Sequence, residues 1–286
     1  MPATRMRFTG TGNSTQYIDL AKALSIQNRK LHRQKMVYTV YGGYFVDSNG
    51  SRINLNVAPN TWVVKRAINR GFAQWRKMIA KTLDNSQGLD TGKYSDFKVY
   101  LDNQMGNGAL QPKDASGGSI GSGEWDYATL TTEDGNAPPD QFELQIVGPH
   151  TGTPGAYTRV ALVQSWVDSR ARPDTDDPDI NFHTSSEDPL TNLFDAADAD
   201  DEKIQVITTE GDAPPYATEV MFGNAAAPGS SNNLQRVSSA VTTSANAIMP
   251  IHGFEAICGL IQIDFGSADP LDWELVLDVE ANGVKF

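Results

Sequence analysis

The stretch MVYTVYGGYFVDSNGSRINLNV, residues 36–57, decides how this chain folds. Tyr38, Val40, Phe45, Ile53, Leu55 and Val57 alternate with polar or small residues on either side of Asp47-Ser-Asn-Gly50. A period of two places apolar side chains on one face of a strand, and Asn49-Gly50 tolerates the positive φ of a tight turn. The reading is two strands joined as a hairpin. The Gly42-Gly43 pair inside the first run marks a bulge or the close approach of another backbone.

Upstream, residues 1–13 read as a polar arm and Ser14 to Gln34 as a helix, with Tyr17, Leu20, Ala21, Leu24 and Leu31 at three-to-four spacing. Ser14 or Thr15 caps its start, and Asp19 sits near the positive end of the dipole. Residues 1–36 therefore form a basic N-terminal arm and helix carrying Arg5, Arg7, Arg29, Lys30, Arg33 and Lys35. Downstream, the pattern predicts a second helix over 60–82, with Asn60 as its N-cap. Val64, Ile68, Phe72, Trp75 and Ile79 make its apolar stripe, and Lys65, Arg66, Arg70, Arg76, Lys77 and Lys81 occupy the remaining circumference.

Beyond residue 90 the chain reads as β. The expected strands are Phe97–Leu101, Trp125–Thr131, Phe142–Val147, Thr158–Val167, Ile204–Thr208, Ala217–Phe222, Val237–Thr242, Ala256–Asp264 and Trp273–Val279, separated by Gly/Pro-rich turns. Ten or eleven strands against two helices exclude a doubly wound α/β fold. The class is all-β with a few helices, as a sandwich, jelly roll or barrel.

Composition narrows the function. A chain of 286 residues can bury a core of ordinary size without metals or disulfides, and its single cysteine, Cys258, excludes a disulfide framework and a multi-cysteine zinc site. No apolar run approaches the ~18 residues of a membrane span, and the opening residues lack the apolar stretch of a secretory signal, so a soluble globular protein is expected. The net charge of −12 hides an asymmetry. Residues 1–100 hold sixteen Lys/Arg and five Asp/Glu, whereas 101–286 hold seven and thirty. Such asymmetry suggests a basic surface for a polyanion and an acidic surface for solvent.

Motifs for catalysis do not assemble. Gly117-Gly-Ser-Ile-Gly121 spells the G-x-S-x-G pattern, but neither a strand precedes it nor a helix follows, so it reads as a loop. His32, His150, His183 and His252 show no zinc spacing. Cys258 reads as a buried, inert thiol. Gly10-Thr-Gly-Asn-Ser14 lacks the lysine and the spacing of a phosphate loop. The acidic loop Asp174-Thr-Asp-Asp-Pro-Asp179 offers Asp174, Asp176, Asp177 and Asp179 as the oxygen ligands Ca²⁺ prefers, though it does not fit the EF-hand pattern, and a solvated acidic surface is the plainer reading.

The order of segments carries a resemblance. It runs from Thr4-Arg-Met-Arg7 through Tyr17-Ile-Asp-Leu-Ala-Lys-Ala-Leu24 and Asn28-Arg-Lys-Leu-His-Arg33. Ala58-Pro-Asn-Thr-Trp-Val-Val-Lys65, Gly71-Phe-Ala-Gln-Trp-Arg76 and Ser95-Asp-Phe-Lys-Val-Tyr100 follow, and then a β-rich acidic remainder. This layout resembles the capsid proteins of small single-stranded DNA viruses known mainly from environmental sequencing. The resemblance implies a jelly-roll coat protein, located in the virion, that self-assembles as a homo-oligomer into an icosahedral shell around DNA. It departs from the family in lacking a long Arg-rich arm, which leaves an inner membrane or sparse genome contact as alternatives. The host receptor is unknown.

The expectation is one elaborated jelly roll, with a double jelly roll as the alternative. The shell domain spans 37–286, with the basic helix 60–82 inserted and acidic loops near 102–123, 168–202 and 223–234. No catalytic residue is expected. Non-specific contact with single-stranded DNA falls to Arg5, Arg7, Arg29, Lys30, Arg33, Lys35, Lys65, Arg66, Arg70 and Lys77. The rival is a carbohydrate-binding, lectin-like sandwich using Trp125, Tyr157 or Trp166 as a sugar platform. A glycoside hydrolase ranks third, since no carboxylate pair stands out.

Overall fold

The structure, a computed structural model, describes residues 3–12, 14–85, 92–106, 108–131, 141–153, 156–169, 234–266, 272–280 and 283–286. The chain begins with β1 (Ala3–Thr11), β2 (Gln16–Asp19), α1 (Leu20–Asn28), β3 (Val37–Asp47) and β4 (Arg52–Val57). An insertion follows, with α2 (Trp62–Asn85), β5 (Thr129–Thr131), β6 (Gln141–Gln145), β7 (Thr151–Thr153), β8 (Ala156–Ala161) and α3 (Leu162–Asp168). The chain ends with β9 (Gln235–Val241), β10 (Ile248–Ile257), β11 (Leu260–Phe265) and β12 (Asp272–Glu280).

The protein is mostly β, and its framework is a sandwich of two four-stranded antiparallel sheets. Their orders are β1-β12-β3-β10 and β2-β11-β4-β9. The pairing is nested: β1 with β12, β2 with β11, β3 with β10 and β4 with β9, so the first strand meets the last and the fourth meets the fifth. Except across the insertion, consecutive framework strands switch sheets. Between the sheets lie alternate residues of each strand, among them Met6, Phe8, Ile18, Val40, Ile53, Leu55, Ile261, Ile263, Leu275 and Leu277, all buried. Phe45, Phe265 and Trp273 pack at one place in this core with ring centroids 5.2–6.5 Å apart. Full burial of each such side chain contributes about 1.5–3 kcal/mol.

The insertion between β4 and β9 makes a third, mixed sheet of order β5-β6-β8-β7, in which β6 and β8 run parallel. It buries its own apolar set, including Val64, Ile68, Phe97, Val99, Leu101, Ile146 and Val163.

Several expectations change on inspection. Residues 3–11 are no arm: β1 pairs with β12 along its whole length, which burial of Met6 and Phe8 requires. The first helix is only Leu20–Asn28, because Gln16–Asp19 joins β11 as a strand. Asp19 is its N-cap, accepting from the Lys22 amide at 3.0 Å. The helix α2 is capped by Thr61, whose hydroxyl accepts from the Val64 amide at 3.3 Å, while Asn60 donates to Glu255. The Asp47–Gly50 turn exists, with Asp47 Oδ1 accepting from the Asn49 amide and Gly50 at φ 78°. It is not a hairpin, because β3 and β4 belong to different sheets.

The expected strand 256–264 is two strands broken at Cys258, which adopts φ 57° as the chain crosses between sheets. Phe97–Leu101 forms no strand beyond a single bridge from Tyr100 to Gln145. Trp125–Thr131 shrinks to β5, and Thr158–Val167 splits into β8 and α3. Ile204–Thr208 and Ala217–Phe222 lie outside the described residues, as do 170–202 and 223–233 of the acidic loops.

The Gly42-Gly43 expectation matches the structure. β3 bulges opposite Asp278 and Val279, and a Cβ on Gly43 would stand 1.9 Å from the Val276 carbonyl oxygen. Gly43→Ala is expected to destabilise the protein by about 2 kcal/mol or more in urea denaturation. Gly106→Ala, where an added Cβ meets nothing within 4 Å, is expected to change stability by less than about 0.5 kcal/mol.

Candidate nucleic-acid interface

Polar side chains on the outer face of the second sheet fix the insertion against the sandwich. Tyr17, Asp19, Asn56 and Gln262 alternate with the core residues of β2, β4 and β11, so they point away from the core. Asp102, fully buried, meets them from the insertion. Its Oδ1 accepts from the Tyr17 hydroxyl at 2.9 Å and from the Gln104 and Met105 amides, and its Oδ2 accepts from Gln262 Nε2 at 3.0 Å. Gln262 also donates to the Tyr17 oxygen and accepts from Asn56. Burial, reinforced by the Asp102 charge, pushes the Tyr17 phenol well above its ordinary range.

A second knot forms around Asp19, which is also fully buried. Its Oδ2 accepts from Gln34 Nε2 and Trp125 Nε1, both at 3.1 Å. Gln34 in turn bonds both backbone groups of Val99. Burial pushes the Asp19 carboxyl up to about 6; the Lys22 amide, the Lys22 charge, Gln34 and Trp125 oppose this but do not overcome it.

Between α1 and the insertion lies an open groove of about 390 Å³. Lys22, Arg29, Lys30 and Lys98 line it, with one carboxylate, Glu124. Arg29 ends α1 in the left-handed conformation at φ 51°. Tyr94 is 64% exposed at the rim, and Trp125 forms the wall beneath the Lys98 ammonium, 4.5 Å from the ring centroid. Among the described residues none of the four cations has a carboxylate within ion-pair distance. The neighbouring Asp126 holds Glu124 above its ordinary range, first through a hydrogen bond and then through its charge.

Nine of the ten basic residues singled out from sequence fall into three groups, and Arg33 stands apart. Arg5, Arg7 and Lys35 are engaged internally. Arg5 pairs in bidentate fashion with Asp278 at 2.7 and 2.8 Å, holding that carboxyl below its ordinary range. Arg7 bonds Glu274 at 2.7 Å and the Asp114 and Ala115 carbonyls. Lys35 donates to the Phe286 carbonyl and lies over the Phe72 and Phe286 rings; burial lowers its pKa. Arg29 and Lys30 belong to the groove.

The third group lies on α2, where Arg66, Arg70 and Lys77, with Lys81, share one exposed face. At 1.5 Å per residue this stripe is about 22 Å long. Arg70 also stands 5.5 Å over the Trp166 ring and Arg76 5.8 Å over Phe72, while Lys65 is half-buried. Arg33 is exposed near Asp96.

Sequence reading missed Lys22, Tyr94, Lys98 and the two buried carboxylates. Asp19 carried a signal, since an acidic residue directly before a helical run is an N-cap pattern. Nothing local marks Asp102 or Lys98.

The other candidate chemistries do not gather. Ser119 accepts from Lys113 Nζ at 2.8 Å, but it sits on a turn closed by Asp114, not on a strand-to-helix elbow. His150 Nδ1 accepts from the Ala161 amide, and burial lowers its pKa. Cys258 is buried, its thiol pushed up by burial. Asp174, Asp176, Asp177 and Asp179 lie outside the described residues; among those described, no three His, Cys, Asp or Glu side chains gather as metal ligands do. Of the sugar-platform candidates, Trp125 and Trp166 each carry a cation over the ring, and Tyr157 packs 4.8 Å from His150. Comparison of the chain with family models, curated proteins and solved structures gave no match.

Asp19 generates a pH prediction. Its folded pKa of about 6 exceeds the ordinary 3.8, so its contribution to stability is fully present below about 4 and is lost as pH rises through 6. Asp19→Asn keeps the cap but turns an amide toward Gln34 or Trp125. Its destabilisation, read from urea curves, is expected to be larger at pH 4.5 than at pH 7.5 by about 2 kcal/mol.

Proposed function

We propose that this protein is a viral coat protein built on a single jelly roll, assembling as many identical copies into an icosahedral shell around single-stranded DNA. The observation that carries the reading is the nested order of the eight framework strands. A long antiparallel hairpin pairing first with last and fourth with fifth, rolled so that successive strands alternate between two sheets, is the topology of a jelly roll, an architecture found in viral capsids, lectins and cupins. A second roll would require eight further strands. The insertion contributes four among the described residues, and they include a parallel pair, which favours one roll with a large insertion at the tip of the hairpin.

Charge supports a coat over a lectin. Among the described residues, Arg66, Arg70 and Lys77 of the α2 stripe and the four cations of the α1 groove have no carboxylate within ion-pair distance, as a surface that neutralises phosphates requires. The aromatic residues a sugar platform would use are not displayed: Trp166 is buried, Trp125 is half-buried, and Tyr157 is half-buried against His150. In the shell, the stripe and the groove face the genome or an inner membrane, and symmetry-repeated contacts between copies close the wall. The internal pairing of Arg5 and Arg7 removes them from this inner surface.

Purified protein is expected to form megadalton particles by size-exclusion chromatography and negative-stain microscopy; a monomer stable at every salt concentration would overturn the reading. Arg66→Glu combined with Lys77→Glu is expected to leave the circular dichroism spectrum and melting temperature unchanged. Extractable nucleic acid per particle should fall at least about twofold, and an undiminished content would remove the α2 stripe from the role.

A further inference from the structure

We infer that the groove between α1 and the insertion is a binding subsite for one nucleotide unit of a single strand, with Arg29, Lys30, Lys22 and Lys98 taking the phosphate and Tyr94 stacking on the base. Naming DNA as the ligand rests on the coat reading; the site itself does not depend on assembly.

Electrostatics sets the ligand's sign. Four cations face one carboxylate, and an open groove walled by protein focuses their field. The carbonyl end of α1 by itself repels anions, so the side chains supply the whole attraction. Lys98 is the fixed member: it is 5% exposed, its ammonium held over Trp125 and 3.5 Å from the Tyr94 carbonyl. Trp125 is fixed in turn by its hydrogen bond to the buried Asp19, so the wall is organised before any ligand arrives. Arg29 and Lys30 sit on the turn that ends α1, exposed and free to close on a phosphate.

The aromatic residue selects among anions. Tyr94 is exposed at the mouth of the charged groove, with the Lys93 ammonium 5.6 Å from its ring centroid. A cationic track bearing an aromatic platform is the arrangement that holds single strands without reading sequence, since every base has a face to stack. An acidic peptide would use the cations but leave the ring idle. The volume lies within the range of small-ligand sites, ~300–1,000 Å³, and the open side lets a strand continue beyond.

The test is fluorescence anisotropy of purified protein with a fluorescein-labelled dT12 oligonucleotide at 50 and 200 mM NaCl. Wild type is expected to bind, and more weakly at the higher salt. Arg29→Glu/Lys30→Glu is expected to weaken binding at least tenfold. Tyr94→Ala should weaken it at least about fivefold, with Tyr94→Phe restoring it, because stacking needs the ring and not the hydroxyl. Circular dichroism of each variant checks that the fold survives.

Unchanged affinity in Tyr94→Ala, or displacement of dT12 by millimolar inorganic phosphate alone, would overturn the nucleotide assignment. Unchanged affinity in the Arg29/Lys30 variant would overturn the groove altogether. Particles that form and package nucleic acid while groove variants bind normally would sink this inference and spare the coat reading. Groove-dependent binding by a protein that never assembles would do the reverse.

Discussion

Two carboxylates that see no water, Asp19 and Asp102, organise this molecule. A buried carboxylate is tolerable only where donors surround it, because its desolvation is otherwise too costly. Asp102 belongs to the insertion and finds its donors on the sandwich, from Tyr17 and Gln262. Asp19 belongs to the sandwich and finds one of its donors, Trp125, on the insertion. The demand is reciprocal, so neither part can move away without stranding a charge or a polar group. Two apolar cores are thereby held together across a polar layer, and that layer fixes one side of the cationic groove.

The nested strand pairing explains how so large an insertion is accommodated. Because β1 meets β12 and β4 meets β9, the framework closes on itself whatever connects β4 to β9. The loop at the tip of a rolled hairpin lengthens at small entropic cost, since closure entropy grows only slowly with length. The insertion then contributes what the sandwich lacks: the cationic face of α2, Tyr94, Lys98, and the cover over the polar face of the second sheet. The charge asymmetry of the sequence is partly undone in space. Arg5 lies directly across from Asp278 and Arg7 diagonally from Glu274, residues of opposite sign joined by the pairing of β1 with β12.

On the proposed coat function these features divide the work. Strands supply a framework packed by its own core, while helix and loop residues supply charge at its surface. Charged pairs exposed on the sheet, such as Arg5 with Asp278, contribute little to stability and are screened by salt. The buried knots are screened far less. The exposed pairs therefore respond to salt under conditions in which the buried knots do not.

Much of the framework was legible from period and punctuation. The alternation in 38–57, the glycine pair, the Asn-Gly turn and the stripe of α2 follow from side-chain geometry local to each segment. Partner choice was not. The turn at 47–50 looks like a hairpin because a tight turn carries no record of which sheet receives the next strand. The polar opening residues look like an arm because the single buried row of an edge strand, Met6 and Phe8 among arginines and threonines, is too short to announce itself. Basic residues were easy to find, but whether each faces solvent or a carboxylate depends on strands hundreds of residues away. The amino-acid sequence alone determined the β class and the cationic helix. Only the tertiary structure decided which cations are spent, because charge is a property of the residue whereas availability is a property of its neighbours.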